Sequence, residues 1–319
     1  MNKILIIGGG AMGSAFSVPC IDNNNKVVIT EPYNKLFIKK LNSKKKFHPS
    51  LKINLPSSLI YKRFSENLLA QNFNLIVIAL SLSGINFISN ALRNKKIKCP
   101  ILILTKGLKY EKKINKILTI SDQLKINNKN LNLSVLKGPC LAKELAKKKQ
   151  TSVIIANKNI SLAKKIGKII STKYYITEYS SDIKGVEICS AIKNIYSMII
   201  GAGNGLNMSS SLFQKSLSEM KYLIKYFNGD EKTILGLAGV GDSYVSAAGG
   251  RNSKMGSYLG KGFTFKQAKK KFMAKDTVEG EQLVMEISPF IIKNIDKRKI
   301  PLMTNLIKSL KKNKKFIIN

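Results

Sequence analysis

Lys193 stands in a run of mainly apolar and small side chains, Gly185-Val-Glu-Ile-Cys-Ser-Ala-Ile-Lys193-Asn194-Ile-Tyr. Ile188, Ile192, Ile195 and Ile199 recur at helical spacing, which predicts a helix with a buried apolar face. Lys193 lies off that stripe. Its neighbours one turn away are Cys189, Ser190 and Ser197, with Asn194 adjacent. A lysine in so crowded a setting can act as general acid or base. Asp242 ends a glycine-rich apolar stretch, Leu235-Gly-Leu-Ala-Gly-Val-Gly241. A carboxylate buried there is costly without a cationic or hydrogen-bonding partner. Lys193 is the natural candidate, with the acid orienting the ammonium. Gly249-Gly250-Arg251-Asn252 then sets an arginine in a glycine turn, a planar fork suited to phosphate with an amide beside it. Each residue also has a bland reading: a lysine on a wet helix face, an arginine in a surface ion pair.

Such groups need a scaffold, and the first stretch of the chain predicts one. Lys3-Ile-Leu-Ile-Ile reads as a buried strand and breaks into Gly8-x-Gly10-x-x-Gly13, followed by a helix-like segment from Ala11 to Ile21. Gly8 allows the tight turn, Gly10 lets a pyrophosphate approach the backbone, and Gly13 allows close helix–strand packing. The helix start offers the N–H groups of Ala11 and Met12 to an anion. A second strand, Lys26 to Glu31, ends in an acid about twenty residues past the first glycines, completing a dinucleotide fingerprint. A purely structural glycine turn is the competing reading.

Strand and helix patterns alternate up to about residue 180. Helical stretches are expected at Asn34–Leu41, Gly84–Leu92, Ile114–Leu124, Leu141–Lys148 and Ser161–Ile170. Strands are expected at Leu59–Arg63, Asn74–Leu80, Pro100–Lys106, Leu133–Lys137, Thr151–Ala156 and Tyr174–Thr177, with a basic loop at Asn42–Pro49. The predicted class is α/β: an N-terminal Rossmann-like, doubly wound, mostly parallel sheet over residues 1–180 and an all-helical domain over 181–319. Ligands of such sheets sit beyond the strands' carboxyl ends, so the turns at Ser81, Lys106 and Gly138 should face the nucleotide. Helices are expected at Leu212–Phe227, Thr264–Phe272, Gly280–Ile295 and Pro301–Lys311, with a frayed basic tail to Asn319.

Composition narrows the function. The formal charge is +37, from 55 basic and 18 acidic residues, which first suggests nucleic acid. Only four of the basic residues are arginine, and the lysines are scattered in short runs such as Lys44–Lys46 and Lys269–Lys271. No aromatic-interleaved basic stripe appears, so a solvated lysine surface is the expectation and a nucleic-acid partner is not. A biased base composition accounts for the lysine, isoleucine and asparagine together. No apolar run is long enough to span a membrane. Cys20, Cys99, Cys140 and Cys189 are widely spaced, which argues for the cytoplasm and against a zinc site or disulfide framework. His48 is the only histidine, so a histidine-based dyad and a metal site are not expected.

Taken together the motifs resemble the NAD(P)-dependent sn-glycerol-3-phosphate dehydrogenases over essentially the whole chain. The matching pieces are the glycine fingerprint, Thr105-Lys-Gly-Leu108, Gly138-Pro-Cys-Leu-Ala142-Lys-Glu-Leu, Gly185-Val-Glu187 through Asn194, Gly203-Asn-Gly-Leu, Gly241-Asp242, Gly250-Arg-Asn252 and Val278-Glu-Gly280. The resemblance implies roles. Lys193 donates the proton to the substrate carbonyl oxygen and Asp242 orients it. Lys106 bridges cofactor and substrate. Gly138, Cys140, Asn194, Asp242, Ser246, Arg251 and Asn252 contact a small phosphorylated substrate. Gly8, Gly10, Ala11, Met12, Gly13, Glu31, Lys106, Ala142, Arg251, Thr277 and Glu279 hold NAD or NADP. It further implies interconversion of dihydroxyacetone phosphate and sn-glycerol 3-phosphate, a supply of glycerol phosphate for phospholipids, and admits a homodimer.

The chain departs from the family pattern at three places. Cys140 stands where relatives usually carry Thr or Ser, and Gly250 replaces a common Ser. Thr30-Glu-Pro-Tyr33 lacks the usual tryptophan and basic residue. Glu31 should bind a ribose 2′-hydroxyl and repel a 2′-phosphate, favouring NAD, with Lys35 and Lys39 blunting the preference. Two other readings stand beside this one: a dehydrogenase of the same architecture for another small hydroxy acid, of β-hydroxyacid or ketopantoate type, and a non-catalytic dinucleotide sensor.

Overall fold

A computed structural model of the chain describes residues 1–43 and 45–318. Lys44 and Asn319, and so one member of the Lys44–Lys46 run and the last residue of the basic tail, lie outside the described residues, as does the side chain of Lys35. The chain divides into two compact units, Met1–Lys106 with Ile120–Ile183, and Gly107–Thr119 with Lys184–Asn319.

The first unit is built on an eight-stranded sheet. Its strands are β1 (Lys3–Ile7), β2 (Lys26–Glu31), β5 (Ile60–Arg63), β6 (Leu75–Ile78), β7 (Ile101–Ile103), β10 (Leu133–Lys137), β11 (Thr151–Ala156) and β12 (Tyr175–Ser180). The order is β12-β11-β10-β7-β6-β1-β2-β5, parallel except where β10 meets β11. Ile4, Leu5, Ile6 and Ile7 are fully buried, as a central strand covered on both faces requires. The chain leaves β1 in one direction for β2 and β5, then returns to its other side for β6, with Ile4 opposite Leu75. That reversal puts the carboxyl ends of β1 and β6 at a topological switch point, where open α/β sheets bind ligands. Flanking helices are α1 (Ala11–Asp22), α2 (Lys35–Leu41), α3 (Ile85–Ala91), α4 (Ile120–Asn127), α5 (Ala142–Ala146) and α6 (Ile160–Ile170). The stretch expected to be a basic loop contains β3 (Phe47–His48), which pairs with β4 (Ile53–Asn54) beyond it in a small hairpin.

The segment expected to be helical from Ile114 to Leu124 is not one element. A hairpin of β8 (Leu108–Glu111) and β9 (Lys116–Thr119) comes first, and helix starts only at Ile120. Asn115, with φ +46°, turns the chain there and interrupts any helix. The hairpin packs within the second unit: the Tyr110 amide donates to Glu286 at 2.9 Å, and Asn115 pairs with Asn294.

The second unit is otherwise helical: α7 (Ile183–Gly201), α8 (Leu206–Tyr226), α9 (Asp242–Ala247), α10 (Arg251–Gly260), α11 (Phe265–Phe272), α12 (Glu279–Asn294) and α13 (Pro301–Lys312). Every residue of α7 from Gly185 to Ile200 is buried, so it is the axis of the unit rather than a one-sided surface helix. The described part of the tail, expected to be frayed, is held at two points. Phe316 is buried in the core, and the Lys314 amide donates to Ser309.

Glu219 of α8, itself buried, accepts from the amides of Leu302 at 2.6 Å and Met303 at 3.1 Å and from the Tyr196 hydroxyl at 3.0 Å. It thereby caps the first turn of α13, where free N–H groups and the helix dipole favour a carboxylate. Burial raises its carboxyl above the ordinary carboxylate value, against the lowering pull of those donors. A raised folded value favours folding below the unfolded pKa, and that contribution is lost as pH rises through the folded value. Glu219→Gln is expected to lose about 1–3 kcal/mol, because its amide NH₂ meets an N–H donor. The gap between wild type and variant in urea unfolding should be widest in mild acid and narrow toward neutrality.

Candidate active site

The first unit presents the glycine turn. Gly8 has φ +118°, and a Cβ on it would lie 2.5 Å from the Ala79 carbonyl oxygen. A Cβ on Gly13 would lie 2.0 Å from the Gly8 carbonyl oxygen, so only glycine lets α1 approach β1 this closely. Gly10 is the opposite case: nothing lies within 4 Å of its Cβ position. It is exposed, and no side chain caps α1. Ala11 and Met12 follow in the first turn, half-buried. The open Gly10 and the uncapped helix start make a cradle that fits a pyrophosphate.

Below this turn lies a network that sequence reasoning did not find. Glu31 accepts from the amides of Gly9 and Tyr33, each at 3.0 Å. The Gly9 carbonyl accepts from Ser14 at 2.8 Å, and Ser14 meets the Tyr61 hydroxyl at 2.8 Å. His48 Nε2 lies 3.3 Å from the same carbonyl, and the Leu51 amide donates to its Nδ1 at 3.3 Å, which leaves the ring proton on Nε2. Burial holds this imidazole below the ordinary histidine value, hence neutral. The sole histidine supports the loop. Its solitary place in the sequence argued against catalysis but carried no sign of this contact. Lys106, half-buried, follows β7; Gly138, with φ +128°, follows β10; and Cys140 and Ala142 lie half-buried at the start of α5.

The second unit holds the charged cluster. Lys193 and Asp242 are 6% and 3% exposed, and Lys193 Nζ donates to Asp242 Oδ1 at 2.7 Å. The same ammonium donates to Ser246 Oγ, one turn along α9. A π-helical turn, Leu237–Gly241, delivers Asp242 to the start of α9. Such turns are frequent at functional sites because they re-aim a side chain. Around the next residue of α7, Asn194 donates to Glu279 Oε2 at 3.1 Å. Arg251 reaches Glu279 Oε1 at 3.4 Å and the Thr277 carbonyl at 2.9 Å, and Asn252 accepts from the Gly280 amide at 2.9 Å. Arg251 remains exposed, so its fork can still meet a solute anion. The buried ammonium has a fixed counter-charge, and the residue after it on α7, Asn194, shares Glu279 with the exposed Arg251 guanidinium. That set can deliver a proton to an oxygen and hold an anion nearby. Among the described residues no group of three or more His, Cys, Asp or Glu could hold a metal, and no helix is long and apolar enough to cross a membrane.

Comparison with known proteins gives these features a context. Residues 3–163 match the N-terminus of NAD-dependent glycerol-3-phosphate dehydrogenase and residues 182–317 its C-terminus. The chain is 31% identical over 278 residues to the NADP(+)-dependent glycerol-3-phosphate dehydrogenase of Archaeoglobus fulgidus, covering 83% of this chain and 82% of that one. It is 31% identical over 287 residues to a glycerol-3-phosphate dehydrogenase [NAD(P)+] of Phytoplasma mali, covering 87% and 84%. The crystal structure of glycerol-3-phosphate dehydrogenase from Coxiella burnetii shares the fold, with a TM-score of 0.85 at 22% identity over 98% of this chain and 96% of that one. With both terminal regions matched, the chain belongs to the NAD-dependent glycerol-3-phosphate dehydrogenase family.

Proposed function

We propose that this protein interconverts dihydroxyacetone phosphate and sn-glycerol 3-phosphate with NADH or NADPH. The observation that carries the proposal is the buried Lys193 ammonium held by Asp242 and Ser246. When bound, the nicotinamide would supply the hydride that reduces the ketone carbon. Negative charge then grows on the ketone oxygen, and Lys193 Nζ donates a proton to it, giving the alcohol. In the reverse direction the lysine takes that proton back. A cation aimed where charge develops stabilises the transition state more than the ground state. Asp242 and Ser246 keep the ammonium aimed. Asn194, Arg251 and Asn252 bind the substrate, Arg251 by its phosphate. Lys106, Gly138 and Cys140 also contact substrate in this reading, with the Cys140 thiol a poorer donor than the hydroxyl usual in the family. Gly8, Gly10, Ala11, Met12, Gly13, Ala142, Thr277, Glu279 and Arg251 serve the cofactor in this reading. The product would feed phospholipid synthesis in the cytoplasm.

Glu31, fixed by two amides at the end of β2, supports a preference for NAD: its carboxylate suits a ribose diol and repels a 2′-phosphate. The Archaeoglobus fulgidus relative is named for NADP(+), so the preference belongs to each chain's own residues. The test is turnover of a panel of ketones with each reduced cofactor. Dihydroxyacetone phosphate should exceed unphosphorylated dihydroxyacetone by about 10²-fold or more in kcat/KM, since remote phosphate binding is spent on the transition state. NADH should outperform NADPH. Equal turnover of both ketones would sink the substrate assignment, and a strong NADPH preference would overturn the use made of Glu31.

A further inference from the structure

The first unit contains a second buried lysine that the chemistry above leaves unused. Lys137 closes β10 and is 2% exposed. Its ammonium donates to the main-chain carbonyls of Ile103 and Leu104, each at 3.2 Å, and of Thr105 at 2.6 Å. The ladder between β7 and β10 has its last pair at Val135 and Ile103. Beyond that pair, the lysine side chain continues the tie between the two strands. Three charge-assisted bonds onto one short segment offset the cost of burying the ammonium.

The tie extends across the sheet. Thr105, buried, donates from its hydroxyl to the Leu80 carbonyl at 2.8 Å, joining the exit of β7 to that of β6. The neighbouring Ala79 carbonyl is the atom against which Gly8 packs. A continuous line therefore links the carboxyl ends of β1, β6, β7 and β10. The residue after Thr105 is Lys106, and the residue after Lys137 is Gly138.

We propose that Lys137 is a positioning residue for Lys106: by gripping the carbonyls of residues 103–105, it fixes the turn from which Lys106 reaches its ligands. The functional half of the proposal rests on the dehydrogenase reading. The grip itself does not.

The test pairs hydrogen exchange with a double-mutant cycle. In Lys137→Met, the amides of residues 105–108 should exchange about tenfold faster or more, while those of 153–155 in β11 keep the wild-type rate. The same variant should lose about tenfold or more in kcat/KM for dihydroxyacetone phosphate, and less than about twofold when Lys106 is already alanine. Should Lys137→Met fail to fold, Thr105→Val removes the neighbouring tie and should give the same pattern at about threefold. Unchanged exchange at 105–108 overturns the proposal. So does an undiminished loss in the Lys106→Ala background, which would mean that Lys137 acts by charge or by general stability. Failure of the dehydrogenase reading would show separately, as a wild-type protein inactive on dihydroxyacetone phosphate, with the exchange result still standing.

Discussion

Lys193→Met is expected to lower kcat for dihydroxyacetone phosphate reduction by about 10³–10⁴-fold, the combined scale of losing a positioned proton donor and a cation at a developing oxyanion. Methionine preserves much of the side-chain volume at a position only 6% exposed, so the substitution removes the charge and the proton rather than the packing. It does strand Asp242, itself 3% exposed, without the ammonium that faces it at 2.7 Å. Breaking a buried pair from one side costs about 3–5 kcal/mol, so a fall in thermal stability should accompany the kinetic loss. The two effects separate by measuring the NADH dissociation constant well below the variant's melting temperature. Lys193 is not among the residues assigned to the cofactor, so NADH affinity should stay within about threefold of wild type. A kcat within tenfold of wild type, or a parallel collapse of NADH affinity, would remove Lys193 from the chemistry.

The pairing behind this expectation was legible because its two residues are anomalies in their surroundings. A lysine amid isoleucine, alanine and serine, and an aspartate ending a glycine-rich apolar turn, each needed a partner, and the chain offers few charged residues in such settings. The glycine fingerprint was legible for a similar reason: its spacing encodes backbone geometry directly, and the turn at Gly8 has the positive φ that the pattern implies. The hairpin of β8 and β9 was not legible. Ile114, Ile117 and Leu118 satisfy a helical period as readily as a strand, and the decisive feature is one asparagine at positive φ. Its partners in the structure, Glu286 and Asn294, lie 176 and 179 residues away, beyond the reach of local pattern. Glu219 and Lys137 escaped for the same reason. Each looks locally like an ordinary surface charge, and its meaning comes from main-chain atoms that distant parts of the chain bring to it.

Asp242 offers the sharper dissection, because it can be changed in two ways. Asp242→Asn keeps an acceptor oxygen where the Lys193 ammonium now donates, and should preserve the aim of the lysine while removing the counter-charge. Asp242→Ala removes both, while the contact of the ammonium with Ser246 stays. If Asp242 acts chiefly by orienting Lys193, the asparagine variant should lose only about tenfold in kcat and the alanine variant about 10²–10³-fold. If the charge itself matters, the two should fall together. The position of Asp242 favours the first outcome. A π-helical turn and the start of α9 fix its backbone, and Ser246 one turn later supplies a second anchor for the same nitrogen. Two anchors from one short helix define a direction in a way a lone counter-charge does not. Steady-state kcat for the three proteins at saturating NADH and ketone decides the matter. Alanine and asparagine variants both within threefold of wild type would show that the lysine is aimed by something else.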